Sequence, residues 1–226
     1  LAAIEALSRY GKAEVGMLDA ISITPNRWPT SAVIDWVNIL RRMPDVKDEA
    51  KRAVEGDHIL RARLNVQGTT MGFSTEQEDR LWWLMTSVDT NAVRLVLTRL
   101  DSPKWKDDMP RIMRGVIARQ KQGHWDVTTA NAWGALAVRK FAAAFERETV
   151  TGTTTAVLES QLGVVDWSKE EKGAVRNFSW PDRPTEVAVH HQGTGKPWVT
   201  VQSRAAIPVT EPFSSGYRIV KTMTSV

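Results

Sequence analysis

The side chains of this chain that are best suited to acid–base chemistry are carboxylates near the expected starts of helices. They are Glu76, Glu78, Asp79, Asp126 and Asp35. In some enzymes built from helical hairpins, two such carboxylates act as acid and base on a glycosidic bond, and their separation sets the stereochemistry. Acidic side chains also stabilise the positive end of a helix dipole without doing chemistry. We favour this structural role, and a carbohydrate-active enzyme remains the alternative.

Other reactive side chains do not form a recognisable catalytic or metal-binding pattern. The chain has no cysteine and four histidines, which are His58, His124, His190 and His191. His190 and His191 are adjacent on an expected strand and should point to opposite faces, which makes a poor metal-binding pair. Residues 214–216, Ser-Ser-Gly, lack the strand–turn–helix context of a nucleophilic serine. We therefore predict no catalytic, cofactor or metal site, and keep His124 and Asp126 as candidates for contact with a partner.

Composition restricts the class of partner. The 226 residues carry 30 basic and 26 acidic side chains, which gives a net charge of +4. The most basic stretch, 104–121, also contains Asp107 and Asp108, a mixture typical of a solvated surface. Arginine-rich arms and zinc-finger spacings are absent from the sequence, so we expect no nucleic-acid partner. No run of about 18 apolar residues occurs, so we expect no membrane span in this chain.

Three segments share a pattern in which a turn and an aromatic residue precede Ser or Thr and a second bulky apolar residue. The two bulky residues are 8 positions apart in each copy (36−28, 81−73 and 133−125), and the copies begin 45 and 52 residues apart (73−28 and 125−73). Repeats of this length are typical of stacked helical hairpins, because one hairpin cannot bury its apolar face alone. We expect a structural role, packing hairpin on hairpin, for Trp28, Trp36, Phe73, Trp82, Trp125 and Trp133.

Apolar residues recur at helical spacing through the first two thirds of the chain. The expected helices span about 30–43, 46–66, 75–87, 91–100 and 110–120, and a last one begins near Thr128. Thr30 should cap the first of them, and Gly72 and Gly123 should adopt positive φ in the turns that precede later helices. Successive helices joined by short loops predict a mainly α fold, specifically an α/α toroid or an open arc of one.

The pattern changes near residue 149, where β-branched residues replace helix formers. Strands are expected around Val157 and at 176–180, and a hairpin is expected from 186–191 and 198–202, followed by a strand at 217–223. These strands are too few to close a sandwich, so the β part should be incomplete. The predicted divisions are a helical domain at 1–148, a β segment at 149–205, and a linker with one strand at 206–226.

Three segments resemble parts of one known family. Residues 123–137 read Gly-His-Trp-Asp-Val-Thr-Thr-Ala-Asn-Ala-Trp-Gly-Ala-Leu-Ala. They resemble a Gly-x-Trp, Thr and Asn-Ala-Trp segment late in the thioester-bearing helical domain of the alpha-2-macroglobulin family, specifically its bacterial members. Residues 193–203, with two glycines before Val201 and Gln202, resemble the strand that ends the family's CUB-like domain. Residues 206–222 resemble the linker and first strand of its C-terminal domain.

This resemblance implies protease inhibition by trapping. In the family a protease cuts a bait region, the molecule rearranges, and the protease is held. In many members a thioester between Cys and Gln then acylates the protease. The Cys-x-Glu-Gln motif is not in this chain, and the amphipathic start at Leu1 suggests a piece of a longer protein. The resemblance also implies a periplasmic or cell-surface location, with proteases and the remaining domains of the parent chain as partners.

Two other functions stay open. A carbohydrate-active enzyme of the helical-hairpin class would have an open central cleft lined by carboxylates with raised pKa values. The inhibitor would instead have a centre filled by apolar side chains. A non-covalent interaction module of a surface protein would lack both a thioester and trapping.

Overall fold

The protein is described by a computed structural model that covers residues 1–73, 82–206 and 223. The chain divides into two compact units, Leu1–Thr151 and Gly152–Val226. Helices make up most of the first unit, and the second contains a small β-sheet. The predicted class, mainly α with a β segment, is confirmed.

The first unit contains six α-helices in its described part. They are α1 (Ala2–Ser8), α2 (Thr30–Arg42), α3 (Glu49–Ala62), α4 (Val88–Arg99), α5 (Met109–Ala118) and α6 (Thr128–Phe145). An antiparallel hairpin of β1 (Leu64–Gln67) and β2 (Thr70–Phe73) follows α3. None of the described helices is long and apolar enough to cross a membrane.

Helices α2 and α4 run parallel to each other. The carboxylate of Asp35 on α2 pairs with Arg94 on α4. Further along both helices, Asn38 Nδ2 donates to Thr98 Oγ1 at 3.0 Å. Because both pairs advance in the same direction along the two helices, the axes have the same sense.

Helix α6 is parallel to α4, because two pairs of side chains again advance in the same direction along both helices. Ser87 Oγ, just before α4, donates to Asp126 Oδ1 at 2.8 Å, just before α6. One turn later, the hydroxyls of Thr90 and Thr129 are 3.4 Å apart. The offset between partners is 39 residues in both pairs, so α4 and α6 start at the same level.

Helices α3 and α5 return in the opposite direction. Arg63, at the end of α3, donates to the backbone carbonyl of Trp28 and to Thr30 Oγ1 at the start of α2, at 2.9 and 3.0 Å. Arg119, at the end of α5, donates to Asp89 Oδ1 at the start of α4, at 2.5 Å. The unit is therefore a series of antiparallel helical hairpins whose helices α2, α4 and α6 are parallel.

The structure corrects the prediction for the middle copy of the repeat. Gly72 lies within β2 and does not have positive φ, and Phe73 ends that strand rather than a turn before a helix. Residues 82–84 form a short 3-10 turn, and the next helix begins at Val88, so the expected helix at 75–87 is wrong over its described part. Residues 74–81 lie outside the described residues. Close packing explains the hairpin, because Gly115 of α5 leaves room for the Met71 carbonyl.

The capping prediction at Thr30 is also wrong. Thr30 is the first residue of α2, and the N-cap position is occupied by Pro29, which makes no side-chain capping hydrogen bond. The Thr30 hydroxyl instead accepts from the Arg63 guanidinium at 3.0 Å. The expected positive φ at Gly123 is confirmed, at +84°.

The second unit contains a three-stranded antiparallel sheet in the order β4-β3-β5. The strands are β3 (Thr153–Leu158), β4 (Gln161–Asp166) and β5 (Ala188–Gln192). A tight turn joins β3 to β4, with Glu159 at φ +54°. Strand β5 pairs with the other edge of β3, with Thr153 opposite Gln192.

Two strand predictions in this unit are wrong. Residues 198–202 form no strand, because β5 pairs with β3 instead of forming a local hairpin. Residues 176–180 also form no strand, because side chains occupy the outer edge of β4: Arg176 Nε donates to the Val164 carbonyl at 2.8 Å, and Gln161 Nε2 donates to the Ser179 carbonyl at 3.2 Å. Of the expected strand at 217–223, all but Met223 lies outside the described residues.

Candidate functional site

Residues 123–137, the first of the three segments that resemble the family, form a tight turn followed by the first turns of α6. Lys121 and His124 exchange two backbone hydrogen bonds, at 2.9 and 3.2 Å, and Gly123 supplies the positive φ that the turn requires. The turn directs Trp125 into the core and leaves His124 and Asp126 exposed. The imidazole Nδ1 of His124 lies 2.9 Å from the Trp125 carbonyl.

Asn131 holds Trp125 in place through its side-chain amide. The Trp125 backbone N–H donates to Asn131 Oδ1 at 3.0 Å, and Asn131 Nδ2 donates to the carbonyls of Trp125 and Val127, at 2.9 and 2.8 Å. The indole Nε1 of Trp125 donates to the Val116 carbonyl of α5 at 2.9 Å. The polar groups of the Trp125 and Asn131 side chains therefore all have hydrogen-bond partners. These hydrogen bonds link the turn to both α5 and α6.

Asp126 belongs to a polar network that joins the starts of α4 and α6. Ser87 caps α4 by accepting from the Thr90 backbone N–H at 3.0 Å, and its hydroxyl donates to Asp126 Oδ1. The Asp126 backbone N–H donates to Asp89 Oδ2 at 3.0 Å, and Arg119 donates to the other oxygen of Asp89. Asp89 is buried and ion-paired, so it stabilises this junction rather than presenting a free carboxylate.

A carbohydrate-active enzyme would have carboxylates with raised pKa values, and Asp35 is a described carboxylate with this property. Burial raises its pKa, the Arg94 guanidinium offsets this only in part, and the nearby Glu5 carboxylate raises the pKa further. However, Asp35 is only 5% exposed and its carboxylate is paired with Arg94. A buried, paired carboxylate of this kind has no access to a polymeric substrate.

Glu5 of α1 is a second buried carboxylate, with the opposite pKa shift. Burial alone would raise its pKa, but Arg9 and Arg42 together outweigh burial and lower the pKa. Arg9 Nη2 lies 2.7 Å from Glu5 Oε2, and Arg42 Nη1 lies 2.8 Å from Glu5 Oε1. The pair with Arg42 fixes α1 against α2, which is a structural role.

A cavity of about 270 Å³ lies between the β1–β2 hairpin, α4 and α5. Its described lining combines apolar side chains, such as Met71 and Ile112, with polar ones, such as Asn65 and Arg119. No Asp or Glu is among those lining residues. The described part of the lining therefore differs from the carboxylate-lined cleft that the enzyme alternative requires.

The aromatic residues of the repeat occupy different environments. Trp36 is fully buried, and the half-buried Trp28 packs edge-on against it, with ring centroids 5.9 Å apart. Phe73 and Trp133 are half-buried against the main core, and Arg9 lies 4.8 Å above the Trp133 ring. Trp82 lies in the turn at 82–84, and its side chain is outside the described residues.

The remaining candidate residues of the described part do not come together in one site. His58 is exposed on α3, and His190 is exposed on β5. His191 Nδ1 lies 2.9 Å from Thr154 Oγ1, and its Nε2 lies 3.1 Å from the Thr194 carbonyl. Within the described ranges no group of three or more acidic or histidine side chains could hold a metal ion. Glu76, Glu78, Asp79 and residues 214–216 lie outside the described residues.

The structure reveals roles that the sequence did not assign. Asn131 and Gly134 lie inside the segment that carries the resemblance, but their contacts to Trp125 were not predicted. An Asn six residues after a buried Trp is the signal that could have suggested them. Asp89 and Arg119 have no such signal, because their pairing joins residues 30 positions apart.

Comparison of the chain with protein-family models, with curated proteins and with solved structures finds no match.

Proposed function

We propose that this chain is part of a bacterial alpha-2-macroglobulin-like protein, a broad-range endopeptidase inhibitor that traps proteases after they cleave a bait region. The observation that carries the proposal is the parallel arrangement of α2, α4 and α6, with α3 and α5 returning between them. In an α/α toroid the inner helices are parallel and the outer helices are antiparallel to them. The first unit has the order expected for an arc of such a toroid.

The segment at 123–137 supports the same proposal. Its Gly, Trp and Asn each have a defined structural role, because Gly123 forms the turn, Trp125 anchors it in the core and the Asn131 amide closes it. The resemblance to the family therefore rests on residues that determine how α6 begins. A sequence pattern whose residues have such roles is more specific to a fold than a compositional match.

The β unit supports the proposal because one face of its sheet exposes apolar side chains. Val157, Leu162 and Val164 lie on one face of the sheet and are 38%, 64% and 40% exposed, whereas Thr154 and Leu158 on the other face are buried. A sheet with an exposed apolar face is what half of a β-sandwich would show in isolation. This agrees with half of a CUB-like domain, which would pack against strands supplied by the parent protein.

The well-packed helical unit favours an inhibitor over an enzyme. Helix α4 has nine buried residues among its twelve, including Val93, Leu95 and Val96. The buried carboxylates of the described part, Glu5, Asp35 and Asp89, are all paired with arginines. In this proposal no residue of the chain is catalytic, and the chain needs no cofactor.

The proposal also assigns partners and a location. Proteases would be the targets, and the remaining domains of the parent chain would contact the exposed surfaces, with His124 and Asp126 as candidate contact residues. The family resemblance places such a protein in the periplasm or at the cell surface, where it would defend the bacterium. The thioester residues, where the parent has them, are not in this chain.

The test uses the natural protein that carries this sequence. It is mixed with a broad-specificity protease, with and without methylamine pretreatment, and analysed on a denaturing gel. A covalent high-mass adduct that methylamine abolishes indicates a thioester trap, because the amine consumes the activated acyl group. No adduct, with digestion of large substrates still blocked, indicates a non-covalent trap. No adduct and no inhibition would overturn the proposal in favour of a carbohydrate-active enzyme or a non-inhibitory interaction module.

A further inference from the structure

A segment that is not a strand covers the outer edge of β4. Residues 176–179 lie beside this edge, and we call them the edge strap. Arg176 holds the first end of the strap. Its Nε donates to the Val164 carbonyl at 2.8 Å, and its Nη2 donates to both oxygens of the Glu170 carboxylate, at 2.8 and 2.6 Å. One guanidinium group therefore joins the strap both to β4 and to the turn that follows β4.

Gln161 holds the other end of the edge strap through its side-chain amide. The Ser179 backbone N–H donates to Gln161 Oε1 at 2.6 Å, and Gln161 Nε2 donates to the Ser179 carbonyl at 3.2 Å. The amide thus makes the two hydrogen bonds that the backbone of a neighbouring strand would make to Ser179. Between its two ends the strap lies close to the sheet, because a Cβ atom at Gly163 would be 2.9 Å from Cζ of Phe178.

The edge strap and the turn after β4 together occupy the backbone groups of this edge. Alternate residues of an antiparallel strand direct their backbone groups to the same edge. Because the Val164 carbonyl faces the strap, the backbone groups of Leu162 and Asp166 face that side as well. The Asp166 carbonyl accepts from the backbone N–H groups of Lys169 and Glu170, at 3.0 and 2.9 Å. The carbonyls of Val164 and Asp166 therefore have hydrogen-bond partners that are not a neighbouring strand.

An uncovered strand edge is a template for pairing with another chain, and proteins usually protect such edges with charged side chains, proline or bulges. From Gln161 to Val165, β4 has no charged residue and no proline. Its residues Leu162 and Val164 are 64% and 40% exposed. We propose that the edge strap prevents pairing between the β4 strands of two copies of this chain, and that release of the strap allows it. This inference does not depend on the protease-trap proposal.

The pairing that aligns all the outward-facing residues of β4 is antiparallel and centred on Val164. A twofold axis at Val164 places Leu162 of each copy opposite Asp166 of the other. Position 162 therefore reports on the contact, because a charge introduced there meets the Asp166 carboxylate of the other copy only when the two β4 strands pair.

Sedimentation velocity of the whole 226-residue chain tests the proposal. The double variant Gln161→Ala/Arg176→Ala removes the side-chain hydrogen bonds at both ends of the edge strap. We expect its weight-average mass to rise with concentration from 25.3 kDa towards twice that value. Arg183→Ala is the matched control, because it removes an exposed arginine that lies outside the strap. Its mass should equal that of wild type at every concentration.

Hydrogen exchange of the peptide 174–180 measures release of the edge strap separately from association. Faster exchange in the double variant with a mass equal to that of wild type would overturn the proposal. Unchanged exchange would also overturn it, because the strap would then not be held by these side chains. Gly163→Val releases the strap by a steric route, since even a Cβ there would lie 3.1 Å from Cβ of Arg176. It should give the same result as the double variant, and it replaces that variant if the latter does not fold.

Charges at position 162 separate pairing of β4 from non-specific association. Added to the strap-released protein, Leu162→Glu creates two pairs of like charges with Asp166 and should weaken association roughly tenfold. Leu162→Lys creates opposite charges at the same place and should not weaken it. Thermal melting checks that both variants are folded, as expected for changes at an exposed residue. Equal association of the folded Glu and Lys variants would contradict pairing through β4.

Discussion

Gly134 of α6 lies directly beneath the indole ring of Trp125. A Cβ atom at position 134 would lie 2.6 Å from Cε3 and Cη2 of that ring, closer than real Cβ contacts. The absence of a side chain at this point lets the ring pack on the helix backbone while its Nε1 reaches the Val116 carbonyl. The pair fixes how the turn at 121–127 enters α6.

Gly134→Ala should therefore destabilise the protein, although alanine is the better helix former. The clash forces the Trp125 ring to move, and overpacking of this kind costs about 1–3 kcal/mol, more than the gain of about 1 kcal/mol in helix propensity. Urea denaturation measures the change. Gly72→Ala is the matched control, because a Cβ at Gly72 meets nothing within 4 Å. Equal stability of Gly134→Ala and wild type would refute the packing argument.

Trp36→Ala should cost about 3–5 kcal/mol of unfolding free energy. Trp36 of α2 is fully buried in a cluster with Ile4 of α1 and Trp28, so truncation removes apolar burial and leaves a large cavity. Trp180→Ala removes an aromatic ring that is mostly exposed and should change stability by about 0.5 kcal/mol or less. If both variants lose similar amounts of stability in chemical denaturation, the structural role that we assign to Trp36 in the first copy of the repeat is wrong.

The hydrogen bond between Ser87 and Asp126 should couple α4 to α6. Ser87→Ala removes both the helix cap and this bond, and we expect a loss of about 0.5–2 kcal/mol. A double-mutant cycle with Asp126→Ala isolates the second effect, with an expected coupling of about 0.5 kcal/mol or more. Ser160→Ala, in the exposed β3–β4 turn, is the control and should be nearly neutral. A coupling energy of zero would mean that the bond does not link the helices.

The pKa shift of Glu5 predicts how stability depends on pH. Its pKa is lowered in the folded protein, so the unfolded chain binds the proton more tightly. The stability that Glu5 contributes is present above its unfolded value, about 4.5, and is lost as pH falls through the lower folded pKa. The advantage of wild type over Glu5→Gln in urea should therefore shrink in acid. An advantage that grows as pH falls would contradict this sign.

Asp35 should show the opposite dependence. Its pKa is raised by burial, so the folded protein binds the proton more tightly than the unfolded chain. Stability is then lost as pH rises from the unfolded value of about 3.8 through the folded pKa. The stability of wild type relative to Asp35→Asn should be greater in acid than at neutral pH. A difference independent of pH would show that Asp35 has the same pKa in both states.

Features with a local cause could be predicted from the sequence. The start of α6 at Thr128 and the positive φ of Gly123 follow from residues within one turn of each other. The change from helix to strand near residue 150 follows from a run of β-branched residues. These segments need no distant partner to specify their conformation.

Features that depend on contacts between residues far apart in the sequence could not be predicted from it. The β1–β2 hairpin places Phe73 on a strand, and its position depends on the missing side chain of Gly115, more than 40 residues later. The sequence identified Asp35 as a candidate carboxylate but could not show that Arg94 would neutralise it. Likewise, β5 pairs with β3 and not with residues 198–202, and local strand propensity does not determine which partner is used.

The most direct test of the protease-trap proposal compares two substrates of one protease in the presence of the natural protein that carries this sequence. A trapped protease is enclosed but keeps its active site, so we predict that digestion of a large protein substrate is blocked while cleavage of a small peptide substrate continues. Unchanged digestion of the large substrate, at an excess of the protein and after its bait region is cut, would contradict the proposal.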